Sequence, residues 1–490
     1  MTAPAETLAA AREAGARYAG QGWPRRQRLL RALRLELAGR LDYYCRAAAA
    51  ASGKPLAEAA LSEIYPCLEI LKYYEREGEG LLAPRRVKTP FFFAGCDSRS
   101  EYRPYGAVLV AGPYNFPFQL TFIPAVTALA AGNAVVIKPS ELCPLAGPLL
   151  EEVFAAAGTP DSLVQVRCGG HETSRELIEA GPDKVFFTGG ANGGRAVMRL
   201  CAERLIPLAL ELGGKAPMLV FSDADMGRAV AGALYGCFCN AGQVCVSTER
   251  IYVQRDAYEA FCAAVAAGAA RLKPGLPDGD YGPMVSEAQA AKVLEQVREA
   301  VAAGARLLTP ERLENGLLYP LVVAGPGPET RLMTEETFGP VAAISVFDTE
   351  EEAVALANQG PYGLAASVWT SDKERARRVS GRLQAGLITV NDCVRAAGSP
   401  YLPFGGVKGS GFGRSHGPEG IFEFCRQVSV MTSSAATQSE VNWFPYGSDL
   451  YPAMVSALRA FFGPFSAGAW RAALGAAGLI KSRTERRGEK

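Results

Sequence analysis

Histidine is nearly missing from this chain: only His171 and His416 occur in 490 residues. Because histidine is the usual partner base of a nucleophilic serine or cysteine, its scarcity disfavours such pairs and leaves a carboxylate as the expected base. It also starves a metal site. Cys237, Cys239 and Cys245 stand close together, but zinc sites favour gaps of two or more residues and a second pair of ligands, so no metal is expected. An excess of charge is missing too. With 51 basic against 50 acidic residues, there is no general field for nucleic acid or an anionic membrane, and a small molecule is the expected ligand. No apolar leader stands at Met1-Thr2-Ala3-Pro4-Ala5-Glu6, and the 12 cysteines follow no framework spacing, which points to a reducing, cytoplasmic compartment.

What is present is ordinary globular composition, 49% hydrophobic and 21% charged, in a chain long enough to require more than one packed unit. Residues 24–35 alternate arginine with leucine at helical spacing behind Pro24, which predicts an amphipathic helix. Glu36, Asp42, Glu58 and Glu63 dilute its basic stripe, so it reads as a solvated face. A second helical pattern covers 56–77. Residues 88–95 and 98–103 read as two short strands around a turn. Phe91, Phe92 and Phe93 would be costly to expose, so this hairpin is expected to pack against something, a partner subunit being one candidate.

From Gly106 the pattern becomes alternating strands and helices. Strands are expected at 107–111, 134–138, 163–166 and 185–187, with helices near 147–157 and 173–180. The order then restarts with a strand at 216–221, a helix at 225–238 and strands at 249–253, 342–346, 364–369 and 387–391. Repeated β-α-β order implies doubly wound parallel sheets, which bind ligands at the carboxyl ends of their strands. Asn115, Lys138 to Glu141 and Thr188 to Gly194 should therefore share one rim.

The stretch Asn240-Ala241-Gly242-Gln243-Val244-Cys245 sets a thiol among small and polar residues, as a nucleophile requires, although a lone cysteine is as readily a buried core thiol. A thiolate adding to a carbonyl needs donors where the oxyanion develops. Asn115 and the backbone N–H of Cys245 could supply them, though Asn115 by itself also fits a turn. Glu211 lies in the apolar run Leu208-Ala209-Leu210-Glu211-Leu212-Gly213-Gly214-Lys215, where desolvation would raise its pKa toward the range of a general base. Thr188-Gly189-Gly190-Ala191-Asn192-Gly193-Gly194 follows a strand and opens a helix, a favourable seat for a pyrophosphate, without being Gly-x-Gly-x-x-Gly. Lys138-Pro139-Ser140-Glu141 could hold two ribose hydroxyls or be a plain surface ion pair.

Together with Gly112-Pro113-Tyr114-Asn115-Phe116-Pro117, Glu335-Glu336-Thr337-Phe338-Gly339-Pro340 and Pro403-Phe404-Gly405-Gly406-Val407-Lys408-Gly409-Ser410-Gly411, these motifs resemble the aldehyde dehydrogenase superfamily from about residue 24 to about 430. The resemblance implies an α/β fold: a variant Rossmann cofactor-binding domain (1–86 and 106–212), a second α/β catalytic domain (213–426) and a small β bridging or oligomerisation element (87–105 and 427–435), with 436–490 as a tail. It implies oxidation of an aldehyde to a carboxylic acid with a nicotinamide cofactor through a thiohemiacetal and a thioester. Cys245 is then the nucleophile, Glu211 the base and Asn115 the oxyanion donor. Lys138 and Glu141 hold the adenosine ribose, Gly189 and Gly194 border the pyrophosphate, Glu336 holds the nicotinamide ribose, Phe338 lies beside the nicotinamide, and Ser140 and Gly190 count among the cofactor-binding residues. Gly190 stands where many members carry a serine. Glu141 would repel a 2′-phosphate, which favours NAD, with NADP kept open. The alternatives are a coenzyme A-acylating dehydrogenase or a silent binding relative; an intact Glu211 argues against the first. A homodimer or homotetramer is implied. In the tail, no uncharged run reaches the roughly 18 residues of a membrane span; Leu458, Phe461, Phe462, Phe465 and Trp470 leave it to cover the substrate entrance, meet a partner subunit or, least favoured, touch a membrane surface.

Overall fold

The computed structural model describes residues 3–90, 93, 95–160, 162–434, 440, 442–464, 466–468, 470, 471, 474 and 475. The chain divides into two units, Met1–Ala83 with Tyr102–Arg426, and Pro84–Glu101 with Gln427–Lys490.

Two sheets organise the larger unit. The first runs Gly411–Phe412, Leu208–Glu211, Lys184–Thr188, Ala107–Ala111, Ala134–Lys138, Val164–Val166; all pairings are parallel except that of Gly411–Phe412. Ala107–Ala111 and Ala134–Lys138 are buried at every position, as continuous apolar runs must be when helices cover both faces of a parallel sheet. The covering helix Gln119–Ala131 is apolar all round and buries every residue except Leu120, the signature of a helix inside a core. The second sheet has seven strands in the order Arg306–Leu307, Leu321–Ala324, Val341–Phe347, Thr248–Gln254, Ala216–Val220, Ala365–Trp369, Leu387–Val390. Only the outermost pair, Arg306–Leu307 with Leu321–Ala324, is antiparallel. Each sheet has its own core. After the second sheet the chain returns to the first: Gly411–Phe412 pairs with Leu208–Glu211, and Ile421, Phe424 and Cys425 join the first core.

Several expectations need correction. Helix Pro4–Gly20 precedes the first expected helix. The segment expected as one helix over 56–77 is Leu56–Ala59, a single turn of π-helix at Ala60–Ile64, and Tyr65–Leu82. Glu63 in that turn has no exposed surface and Glu58 is only partly exposed, so neither belongs to a solvated face. In the smaller unit the first arm of the expected hairpin is Arg85–Arg86 rather than 88–95; Arg85 and Arg86 pair with Ser100 and Arg99 of strand Cys96–Pro104. Pro90 cannot donate to a ladder, which is consistent with the shift. Phe91, Phe92 and Phe465 lie outside the described residues. The sheet is completed by Cys425–Ser433, and the tail contains helix Leu450–Phe462. Among the described residues, no helix is long and apolar enough to cross a membrane.

Candidate active site

Asn115, Lys138, Thr188 and Glu211 sit at or just beyond the carboxyl ends of neighbouring parallel strands, where such sheets bind ligands. All four line one cavity of about 1290 Å³, shared with Ser140, Glu141, Gly189, Gly190, Cys245, Glu336 and Phe338. The expected site residues thus line one cavity, with a single exception. Gly194 is not part of the lining; a Cβ there would lie 2.6 Å from Leu212, so close packing of helix Ala191–Glu203 on its sheet accounts for that glycine. Gly193 lines the cavity instead. Of the cysteines, only Cys245 reaches the lining among the described residues; Cys237 is wholly buried and its thiol donates to the carbonyl of Thr248 at 3.1 Å.

The turn that delivers Cys245 is strained. Asn240, Ala241 and Gly242 have φ of 50°, 54° and 70°, and left-handed backbone costs a non-glycine residue roughly 1–3 kcal/mol. Such a conformation persists only when its surroundings over-determine it, and here they do. The Asn240 N–H donates to Glu58 at 2.5 Å, while its amide donates to the carbonyls of Asn115 at 3.0 Å and Gln243 at 3.1 Å. Gln243 returns an amide bond to the Asn240 carbonyl and accepts from the Val285 N–H at 2.9 Å. At Gly242 a Cβ would fall 2.1 Å from the Gly339 carbonyl oxygen, so no other residue fits there.

Two buried ion pairs hold the walls. Lys54 donates to Glu63 at 2.6 Å with both side chains fully buried, and donates again to the Asn115 carbonyl at 2.5 Å. Glu63 also accepts from the Gln119 N–H at 2.9 Å. The Asn115 turn is therefore gripped on its main chain, and its side-chain amide donates to the Gln243 carbonyl at 3.0 Å. An amide carries two hydrogens, so one remains for a ligand. On the other side Lys215 donates to Glu249 at 2.7 Å and to the Thr337 hydroxyl at 2.8 Å. Glu249 accepts from the N–H groups of Thr337 and Phe338 at 2.8 and 2.9 Å, fixing Phe338 at its φ of 55°. Glu336 accepts from the Gly214 N–H at 3.0 Å. The paired glycines make room for these groups: a Cβ on Gly213 would lie 2.0 Å from the Glu336 carboxylate, and one on Gly214 2.7 Å from the Cys245 carbonyl oxygen.

Burial dominates the electrostatics. Glu211 is 5% exposed and neither carboxylate oxygen has a hydrogen-bond partner. Desolvation drives its pKa well above the ordinary carboxylate value, with Arg414 pulling down and Glu423 adding to the rise. Gly405 leaves it space, since a Cβ there would sit 2.9 Å from Glu211 Oε1. The Cys245 thiol is pushed up to about 12 by burial and then by the charges of Glu211 and Glu336; Glu336 itself rises to about 7 through burial, with Glu249 adding to it. Sequence reasoning missed His416. It lines the cavity, is 3% exposed, and neither ring nitrogen has a partner; burial holds it neutral, near 4. A single histidine after a glycine-rich loop gives no prior signal of such burial.

At the other end of the lining Lys138 donates to Glu141 at 2.6 Å. Burial is the largest influence and opposes the charge of Glu141, but the Lys138 bond, the residue's own backbone N–H and the Lys138 charge together outweigh it and lower the carboxyl pKa. Nothing lies within 4 Å of a Cβ placed on Gly190, whereas Gly189 is closed by Phe187 at 2.7 Å. Helix Ala191–Glu203 thus begins behind an open glycine at the cavity wall.

The family model of the aldehyde dehydrogenase family matches residues 3–430. The 4,4'-diapolycopene aldehyde oxidase of Methylomonas sp is 46% identical over 428 residues, 87% of this chain and 81% of that protein. The 2-hydroxymuconic semialdehyde dehydrogenase of Pseudomonas putida is 40% identical over 342 residues, 66% and 69% of the two chains. An aldehyde dehydrogenase structure from Brucella melitensis biovar abortus 2308 superposes with a TM-score of 0.84 at 33% identity, over 87% of this chain and 89% of that one. A betaine aldehyde dehydrogenase of Staphylococcus aureus, solved with NAD+, gives a TM-score of 0.84 at 29% identity over 90% and 91%. The chain belongs to the aldehyde dehydrogenase family. It is an oxidoreductase that converts an aldehyde to a carboxylic acid with NAD(P). The residues present fit that cofactor: an open glycine ahead of a helix start suits a pyrophosphate, and the Lys138–Glu141 pair in the same cavity lining offers both a donor and an acceptor to a ribose.

Replacing Lys54 with methionine should strip a buried carboxylate of its partner and cost about 3–5 kcal/mol, read as a lower urea midpoint. Lys54→Met/Glu63→Leu should recover part of that stability but not the activity, because the Asn115 carbonyl loses its anchor in both. A double variant with wild-type kcat would show that the pair does not position Asn115.

Proposed function

We propose that this enzyme oxidises a large apolar aldehyde with NAD, using Cys245 as nucleophile, Glu211 as general base and Asn115 with the backbone N–H of Cys245 as oxyanion donors. One observation carries the assignment of Glu211: buried polar atoms are nearly always partnered, yet both oxygens of this carboxylate are buried in the cavity wall without a partner. They are left for a proton or a water. The thiol is protonated at rest, held up by burial and two neighbouring carboxylates. With no histidine partner assigned to it, Glu211 is the base proposed to take its proton. Sulfur then bonds to the aldehyde carbon, and the oxygen takes the negative charge against the two donors. The cofactor, when bound, supplies the acceptor for the hydrogen and electron pair that leave this carbon. Once Glu211 has released that first proton to solvent, water adds to the resulting thioester as Glu211 removes its proton; the carbon–sulfur bond breaks, the acid is released, and the leaving thiolate takes the proton from Glu211 to regenerate Cys245. A base placed for this second step favours hydrolysis over transfer to coenzyme A.

Leu61, Tyr65, Leu120, Tyr235, Tyr401 and Phe404 among the lining residues support an apolar substrate, as does the similarity to a diapolycopene aldehyde oxidase. An acidic aldehyde, suggested by the semialdehyde dehydrogenase relative, would need a free cation. Among the described lining residues Lys138, Arg175 and Arg395 are each paired with an acidic side chain, and Lys292 donates to the Glu336 carbonyl. Glu141 supports NAD, because a 2′-phosphate would meet it as a like charge. The exposed edge strand Cys425–Ser433 supports an oligomer joined through the small sheet, and the free cysteines support a reducing, cytoplasmic setting.

Steady-state kinetics over a homologous series of straight-chain aldehydes should show kcat/KM rising by up to about fourfold per methylene, the equivalent of about 0.8 kcal/mol. A carboxylated semialdehyde that outperforms the whole series would overturn the substrate reading. Cys245→Ala should abolish turnover while NAD still binds, whereas Cys239→Ala should not; the reverse result removes Cys245. NAD should be preferred over NADP, and Glu141→Gln should narrow the gap; a higher kcat/KM with NADP in the wild type contradicts this.

A further inference from the structure

Helix Leu450–Phe462 buries one face through Ala453, Ala457 and Ala460, spaced by four and three residues as a single helical stripe requires. Its outward stripe is also apolar. Tyr451 is 77% exposed, Leu458 42% and Phe462 79%, with half-buried Val455 completing the same i, i+4, i+7, i+11 pattern. Just before the helix, Trp443 and Tyr446 are exposed at 56% and 60%. Single exposed hydrophobics are unremarkable, but this many large ones on one short segment mark an interaction surface. The only charged side chain within the helix is Arg459.

We propose that this face docks on a lipid bilayer bearing anionic headgroups, the helix lying in the interface plane rather than crossing it. Tryptophan and tyrosine are the side chains that settle at headgroup level, an apolar ring below and a polar tip above. The charge pattern points the same way. Residues 471–490 carry Arg471, Lys481, Arg483, Arg486, Arg487 and Lys490 against Glu485 and Glu489, an excess of four positive charges in a chain whose whole net charge is +1. A basic segment that follows an apolar helical stripe in the sequence provides the two signals that stable surface attachment needs, and each lysine or arginine near an anionic surface adds to it. A second copy of this chain is the poorer occupant, because a two-fold contact sets a patch against itself and supplies no anionic partner for the basic residues that follow the helix in the sequence. The inference does not depend on the substrate reading, although an apolar aldehyde is a solute that a bilayer concentrates.

The test is flotation of the full-length enzyme with vesicles of phosphatidylcholine alone and of phosphatidylcholine mixed with phosphatidylglycerol. The enzyme should float with the mixed vesicles and far less with the neutral ones, and raised salt should weaken binding. Tyr451→Ser/Leu458→Ser/Phe462→Ser should lower the partition by about tenfold or more, the fold-change that about 1.4 kcal/mol represents, while the thermal midpoint and turnover of a short soluble aldehyde stay unchanged. If the triple variant is unstable, quenching of wild-type tryptophan fluorescence by brominated lipid serves instead, and should appear only with the mixed vesicles. Failure to float with either vesicle, or wild-type partition by a stably folded triple variant, would overturn the proposal. So would a triple variant that falls to a smaller oligomer while the wild type ignores lipid, which would make the face a protein contact.

Discussion

Two fully desolvated lysine–glutamate pairs set the geometry of this site. Taking such charges out of water costs several kcal/mol per ion, and the attraction between them seldom repays that cost with much to spare. Their value lies in what else they hold. Lys54 and Glu63 spend their remaining hydrogen-bonding capacity on the Asn115 carbonyl and the Gln119 N–H; Lys215 and Glu249 spend theirs on Thr337 and Phe338. One pair fixes the proposed oxyanion donor and the other fixes the loop that carries Glu336. Between them the strained turn at Asn240 to Gly242 is held to the same Asn115 carbonyl.

This bracing explains how Glu211 can be left unpaired. A buried carboxylate without partners would draw in a neighbouring donor if the wall could move, so keeping it bare requires walls committed elsewhere. The glycines serve the same end. Gly213, Gly214, Gly242 and Gly405 each stand where a side chain would strike Glu336, the Cys245 carbonyl, the Gly339 carbonyl or Glu211. They give close approach to protein groups of the site, and the open glycine, Gly190, is the one that faces the cavity without a neighbour.

Much of this was legible in the residues alone. Strands 107–111 and 134–138 coincide with expectation because a wholly buried parallel strand is a continuous apolar run, and the positions of Asn115, Lys138 and Glu211 follow from the strand ends. The bracing was not legible. Glu58 and Glu63 stand among charged residues on a helical pattern, where a buried carboxylate looks the same as a solvated one; only the π-turn at Ala60–Ile64 and the approach of Lys54 distinguish them. The return of residues 411–425 to the first core was hidden for a similar reason, since nothing local says which of two sheets a short Gly-Phe strand will pair with. Gly194 looked like part of a phosphate loop, but its contact with Leu212 is long-range packing.

The role proposed for the bare Glu211 carboxylate is to move a proton during hydrolysis of an acyl-enzyme on Cys245. Rapid mixing of Glu211→Gln with NAD and an aldehyde tests it directly, with intact-mass analysis of the quenched enzyme. The variant should give a burst of NADH that approaches one equivalent per active site, slowed because Glu211 also takes the thiol proton, then turnover reduced by about 10²–10⁴, with an acyl group on Cys245. Turnover at the wild-type rate with no acyl adduct would contradict it.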